Sequence, residues 1–354
     1  MNKKKKILYL TNIEVPYRVT FFNELSKGCD LTVLYERRKS KNRNQQWAKG
    51  LIKNYKIKYL DGGINIRSEG SFSLRIINIV KQAWDIVIVG CYNSRVQILA
   101  IAIMRLYKIP FIINLDWEPF IGHGFTAKIK SFLLKGAKAY LVAGTKSSLS
   151  LKNAIGNKVP IIPYYFSSLL DEEIHKNTEF NFDRNKTVLV VGQYLEYKGM
   201  DVALQVAKMD NSIKYKFVGM GDRTGKFIED YKTIPDNVEI IPFLQKEELI
   251  QEYQHCGVLM LPTRQECWGL VVNEAASFGM PIVSTWGSGA AVEFLADNYP
   301  MYLAEPSNSN SLYKVLKFCL VNNDLNYSQY LKEKSKLYSI ERNVSIYLSV
   351  INSL

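Results

Sequence analysis

Thr263–Glu293 reads TRQECWGLVVNEAASFGMPIVSTWGSGAAVE, and its neighbours make it a folding unit. Ahead of it lies the apolar run Gly257–Pro262 (GVLMLP), and inside it a second run begins at Pro281 (PIVST). Short apolar runs bounded by Gly and Pro suit strands buried on both faces, and the residues between these two carry a helical pattern. Strand, loop, helix and strand form a βαβ unit. In open α/β sheets, ligands bind where such strands end and the following helices begin. Glu266 falls in that crevice, and Glu274 falls about two helical turns further on.

Outward from this stretch the same alternation repeats. It predicts strands over 6–12, 30–36, 57–60, 85–90, 110–116, 139–144 and 159–164, with helices near 18–27, 73–83, 94–108, 126–135 and 145–154. From 167 to 186 the apolar rhythm gives way to a polar stretch containing Asp171-Glu172-Glu173, read as an interdomain linker. Strands resume over 187–192, 214–219, 238–243, 257–262, 281–285 and 300–304, and helical patterns run from about 308 to the end. Alternation of this kind predicts parallel sheets covered by helices. A length of 354 residues favours two domains. The expected division is 1–170, 171–335 and a last helix over 336–354.

The formal net charge of +13 is unevenly placed. Residues 1–170 hold 28 Lys and Arg against 9 Asp and Glu, whereas residues 171–354 hold 18 against 24. A basic first half implies an anionic partner: nucleic acid, a phosphorylated acceptor or an anionic membrane face. Lys128, Lys130, Lys135 and Lys138 among Ile129, Phe132, Leu133 and Leu134 read as a basic amphipathic helix of the membrane-interfacial kind. No apolar run reaches bilayer-spanning length. The Lys-rich start followed by Ile7–Leu10 reads as a first strand, because its apolar part is too short for a signal peptide. Five cysteines without C-x-x-C pairing suit a reducing cytoplasm. With three histidines and no D-x-D, a resident metal is not expected.

Two loops can meet a phosphate. Val190–Gly199 (VVGQYLEYKG) follows the first strand of the second half and places Lys198 at the start of the next helix, where both the lysine and the helix end favour anions. Val218-Gly219-Met220-Gly221 ends the second strand of that half, and glycines there permit close backbone approach to a nucleotide.

The string Glu266–Ala275 (ECWGLVVNEA) followed by Gly279–Ser284 (GMPIVS) resembles the E-x7-E signature of the retaining glycosyltransferases of family four, which have the GT-B fold. Lys198-Gly199 resembles the family's G-R…K-G loop, with Gln193 in the place of its arginine, and Gly219 matches its G-x-G turn. The resemblance implies two doubly wound domains with a last helix crossing back to the first, and transfer from a nucleoside diphosphate sugar, UDP-linked, with retention. It gives Glu274 the ribose hydroxyls, Glu266 the transferred sugar, and the N–H groups of Leu270, Val271 and Val272 the diphosphate. It implies no enzymic nucleophile and no metal. Arg264 or Arg223 is expected to supply the charge that Gln193 lacks.

In the first half, Pro16-Tyr17-Arg18 resembles the P-Y-R variant of enzymes of bacterial surface-polysaccharide assembly, which places Tyr17 and Arg18 on the acceptor side. After the 110–116 strand, Asp116, Glu118 and His123 are all candidates to face the reacting sugar. The expected activity is therefore sugar transfer to a lipid-linked or phosphorylated glycan at the cytoplasmic face of an anionic membrane, for capsule, O-antigen or a similar polysaccharide. A sugar-nucleotide epimerase of the same fold and a basic nucleic-acid-binding protein are the alternatives. The basic half carries no nucleic-acid-binding motif that would favour the last.

Overall fold

The structure is a computed structural model that describes residues 4–38, 52–60, 64–66, 70–90, 94–116, 125–176, 186–322 and 324–354. It forms two compact units, Met1–Tyr165 with Ile340–Leu354 and Phe166–Ser339.

The first unit runs β1 (Lys6–Thr11), α1 (Pro16–Gly28), β2 (Asp30–Tyr35), β3 (Lys56–Tyr59), β4 (Ile64–Ile66), β5 (Gly70–Phe72), α2 (Arg75–Val80), β6 (Ile86–Val89), α3 (Arg95–Leu106), β7 (Phe111–Leu115), α4 (Phe125–Leu134), β8 (Ala139–Ala143), α5 (Thr145–Ile155) and β9 (Ile161–Tyr164). Among the described residues, one parallel sheet takes the order β3-β2-β1-β6-β7-β8-β9. The order reverses between β1 and β6, which is the switch point where such sheets bind ligands. Side chains alternate across the pleat. Leu8 and Leu10 of β1 join the core built with Ile76, Val80, Val96, Ala100 and Met104 of α2 and α3, whereas Tyr9 between them packs edge-on against Phe22 of α1.

The second unit runs α6 (Asp171–Lys176), β10 (Val188–Val191), α7 (Met200–Met209), β11 (Tyr215–Val218), α8 (Thr224–Tyr231), β12 (Val238–Ile241), α9 (Lys246–His255), β13 (Val258–Leu261), α10 (Leu270–Ser277), β14 (Ile282–Thr285), α11 (Gly289–Leu295), β15 (Leu303–Ala304), α12 (Ser309–Asn322) and α13 (Leu325–Ser335). Its parallel sheet has the order β12-β11-β10-β13-β14-β15, reversing between β10 and β13. Every residue of β10, β13 and β14 is buried, as continuous apolar runs covered on both faces should be. The final helix α14 (Ile340–Ser353) belongs to the first unit. Its Tyr347 meets Phe21 of α1 edge-on, with ring centroids 4.8 Å apart.

Three elements depart from the sequence reading. β4 and β5 pair as an antiparallel hairpin; strands of three residues are too short for periodicity to reveal. The polar stretch expected as a linker begins inside the second unit, with Ser167, Leu169 and Ile174 buried. Its acidic run Asp171-Glu172-Glu173 is the first turn of α6, where carboxylates offset the positive end of the helix dipole. Over 300–304, Pro300–Tyr302 form a 3-10 turn and the ladder is confined to Leu303–Ala304; Pro300 suits the first position of such a turn, where no N–H is needed, and the Tyr302 N–H is spent on Tyr299 O at 3.1 Å.

Candidate functional site

The loops leaving β10 and β13 flank the switch point of the second sheet. The β10 loop turns through Glu196–Lys198 into Gly199, whose φ is +71° and whose added Cβ would stand 2.1 Å from the Pro262 carbonyl oxygen. Only glycine permits that approach, and it brings Lys198 to the β13 loop. There Lys198 forms an ion pair with Glu266 Oε1, both side chains being largely buried. Glu266 Oε2 is buried and has no hydrogen-bond partner among the described residues. A buried carboxylate oxygen left bare is costly, so this atom marks a position suited to a ligand's donor or developing positive charge.

The Glu266 backbone is fixed from the next strand's loop. Its N–H donates to Gly287 O at 2.9 Å, and its carbonyl accepts from Gly289 N–H at 3.1 Å. A Cβ on Gly289 would lie 2.1 Å from the Cys267 carbonyl oxygen. The loop then enters α10 through Gly269, where an added Cβ would lie 3.5 Å from Glu266 Oε2, so the carboxylate lies beside the helix start. Among the described residues, the N–H groups of Leu270 and Val271 have no partner, whereas that of Val272 donates to Gly269 O at 2.9 Å. The expected trio of free amides is thus a pair. Two such amides at a positive helix end form an anion site.

Around this centre, Gly219 closes β11 with its N–H on Ile241 O at 3.1 Å, next to the Gly192 backbone. Gln193 is half-buried and its side-chain amide makes no hydrogen bond among the described residues. Arg264 is committed elsewhere. Its NH1 donates to Asp201 Oδ1 at 2.8 Å and to the Glu196 carbonyl at 2.6 Å, its NH2 meets Asp201 Oδ2, and its Nε donates to Ser307 at 3.1 Å. Burial works against the Asp201 carboxylate, but the Arg264 bonds outweigh it and hold Asp201 below the usual carboxylate range. Arg264 therefore locks the β10 loop and the start of α7 to the end of β13. Arg223, half-buried with NH1 on the Tyr194 carbonyl at 3.3 Å, is less engaged.

Glu274 is half-buried on α10, and both its oxygens are taken up by hydroxyls. Ser168 Oγ donates to Oε1 at 2.6 Å and Tyr253 OH to Oε2 at 2.7 Å. Neither partner carries a signature in sequence, since a lone Ser or Tyr distant in the chain has no spacing that points to a carboxylate. The same holds for Asp201.

In the first unit, Asp116 follows β7 and joins a buried polar cluster. Its Oδ2 pairs with Arg18 NH2, and its Oδ1 accepts from Tyr164 OH at 2.6 Å and Asn114 Nδ2 at 3.2 Å. Arg18 NH1 donates to Tyr9 OH at 2.9 Å, and Tyr347 OH of α14 donates to Asn114 Oδ1 at 2.8 Å. Burial pushes the Tyr9 phenol up to about 12, with Arg18 opposing it. Arg18 is thus a buried counter-ion to Asp116; a buried guanidinium persists only when paired. Tyr17 beside it is half-buried. Glu118 and His123 lie outside the described residues.

This fold is GT-B: two doubly wound α/β domains. Residues 171–338, which contain the Lys198–Glu266 site, match the family of glycosyl transferases group 1. The chain is 26% identical over 250 residues to an uncharacterized glycosyltransferase of Methanocaldococcus jannaschii, covering 66% of each. It is 26% identical over 160 residues to the lipopolysaccharide glucosyltransferase WaaG of Escherichia coli, covering 43% of this chain and 42% of that protein. It thus spans about two thirds of the first relative and under half of the second. In fold it is similar to HepE of Anabaena, solved with UDP and glucose, at a TM-score of 0.72 and 14% identity over 99% of this chain and 100% of that one.

Proposed function

We propose that the protein is a retaining glycosyltransferase that moves a sugar from a UDP-linked donor to a glycan acceptor without a metal ion. The observation that carries this reading is Glu266: its bare, buried Oε2 lies beside the start of α10, and its other oxygen holds Lys198. Lys198 and the amides of Leu270 and Val271 would hold the diphosphate, Gln193 would hydrogen-bond it, and Arg223 would add charge. Glu274 would take the ribose diol, because a carboxylate offers two acceptor oxygens. As the bond from the anomeric carbon to the diphosphate breaks, Glu266 would stabilise the oxocarbenium-like centre. The acceptor oxygen then bonds to that carbon on the same face, and its proton passes to the departing diphosphate.

The UDP-bound structure of similar fold supports the choice of nucleotide, and the name of the lipopolysaccharide enzyme supports a surface-polysaccharide acceptor, lipid-linked. A peripheral seat on an anionic membrane is supported by the basic first half and by Leu106, Tyr107, Ile129 and Phe132, all exposed on α3 and α4 or just after α3, near Lys108, Lys135 and Lys138. No helix among the described residues is long and apolar enough to cross a membrane. Flotation with anionic vesicles should fall with salt; no binding at low salt removes the membrane seat.

A nucleotide-sugar panel read by thermal shift tests the donor, since a bound ligand raises apparent stability by mass action. Turnover of the stabilising donor is then followed by NMR of the anomeric proton, with and without chelator. Sugar conversion by donor alone would point to the epimerase, and inverted product or loss of turnover with chelator would contradict the proposal. A gel shift at physiological salt tests nucleic-acid binding.

A further inference from the structure

Each oxygen of the half-buried Glu274 already receives one hydroxyl proton, from Ser168 and from Tyr253. Tyr253 reaches it from α9, is 1% exposed, and stacks against Phe278 with ring centroids 6.1 Å apart at 21°. A phenylalanine could fill that slot as well; what the tyrosine adds is a buried hydroxyl, and buried hydroxyls are retained where they have a partner. Burial and then the neighbouring Glu274 charge raise its phenol well above the ordinary value, so it stays a proton donor. On the other side Ser168, in the segment where Asn273 Nδ2 also donates to the Phe166 carbonyl at 3.1 Å, donates to Oε1.

A carboxylate oxygen has two lone pairs. With one on each oxygen occupied, Glu274 presents one remaining acceptor per oxygen in a fixed orientation. A carboxylate on a freely rotating side chain would lose rotamer freedom on binding a diol; this one has lost it on folding, which is how preorganisation strengthens recognition.

We propose that Tyr253 and Ser168 are positioning residues that aim Glu274 at a vicinal diol and make the site selective for ribonucleotides over 2′-deoxyribonucleotides. This rests on the reading of Glu274 as the ribose ligand, and the test separates the two. UDP and 2′-deoxy-UDP are titrated into the whole protein and into Tyr253→Phe, Ser168→Ala and Glu274→Gln. Wild type prefers UDP by about tenfold or more, as expected for a hydrogen bond to a charged group. In Tyr253→Phe that preference falls to about threefold or less, UDP losing affinity while 2′-deoxy-UDP changes little. Ser168→Ala moves the ratio in the same direction and serves if Tyr253→Phe does not fold. A merely structural role would weaken both nucleotides equally; an unchanged ratio in Tyr253→Phe and Ser168→Ala, with the ratio lost in Glu274→Gln, overturns the positioning role alone. Equal binding of both nucleotides by wild type, or an intact ratio in Glu274→Gln, overturns the ribose reading itself.

Discussion

Replacing Arg264 by alanine separates a structural lock from a donor-binding residue. The substitution removes a bidentate pair to Asp201 and two further hydrogen bonds, to Glu196 O and Ser307. Breaking a fully buried pair costs about 3–5 kcal/mol, and a fully exposed pair is worth under about 1 kcal/mol. Both side chains here are 26% exposed, so solvent screens part of the loss and roughly 1–2 kcal/mol is expected. For a unit of this size that lowers Tm by about 2–8 °C. Asp201→Asn should cost a similar amount. The double variant should lose less than the sum of the two, because the shared interaction is removed only once. Thermal unfolding of all four proteins reads the coupling, and UDP titration reads the ligand. The lock predicts non-additive melting and UDP affinities changed alike in Arg264→Ala and Asp201→Asn. Additive melting, with UDP binding lost only in Arg264→Ala, refutes the reasoning and returns Arg264 to the diphosphate.

Two other expectations concern charge at the same loops. Asp201 has its folded pKa depressed, so its contribution to stability is present above the unfolded value of about 3.9 and is lost as pH falls through the folded one; the Tm gap between wild type and Asp201→Asn should be constant from about pH 6 to pH 5 and close as the solution is acidified below about pH 4, and a gap that widens on acidification contradicts the assignment. Glu266→Gln keeps the size of the side chain but removes its charge, so turnover should drop by about 10²-fold while UDP binding changes little; full activity in this variant rules out charge stabilisation by Glu266.

The parallel sheets were legible because buried strands demand apolar runs and crossover helices demand their own period. The Pro281–Thr285 run, for instance, appears as the wholly buried β14. Candidate residues on strand-to-helix loops were legible for the same reason: topology alone brings the loops of β10 and β13, and so Lys198 and Glu266, to one switch point. What stayed hidden is the set of partners that commit each charge. Arg264 and Arg18 both read as available cations in sequence, yet Asp201 and Asp116, 63 and 98 residues away in the chain, engage them. The fall of Asp171-Glu172-Glu173 into a helix start was equally invisible to a reading that equates acidic runs with linkers. Tyr253 and Ser168 lay beyond reach because a hydroxyl's role depends on what folds next to it.

The most direct measurement is calorimetric titration of UDP and uridine into wild type and Lys198→Ala. A diphosphate held by Lys198 and the amides at the start of α10 predicts that wild type binds UDP far more tightly than uridine. It also predicts that Lys198→Ala loses about tenfold or more of the UDP affinity with uridine unchanged. Equal binding of UDP and uridine, or UDP affinity untouched by the loss of Lys198, would contradict the account.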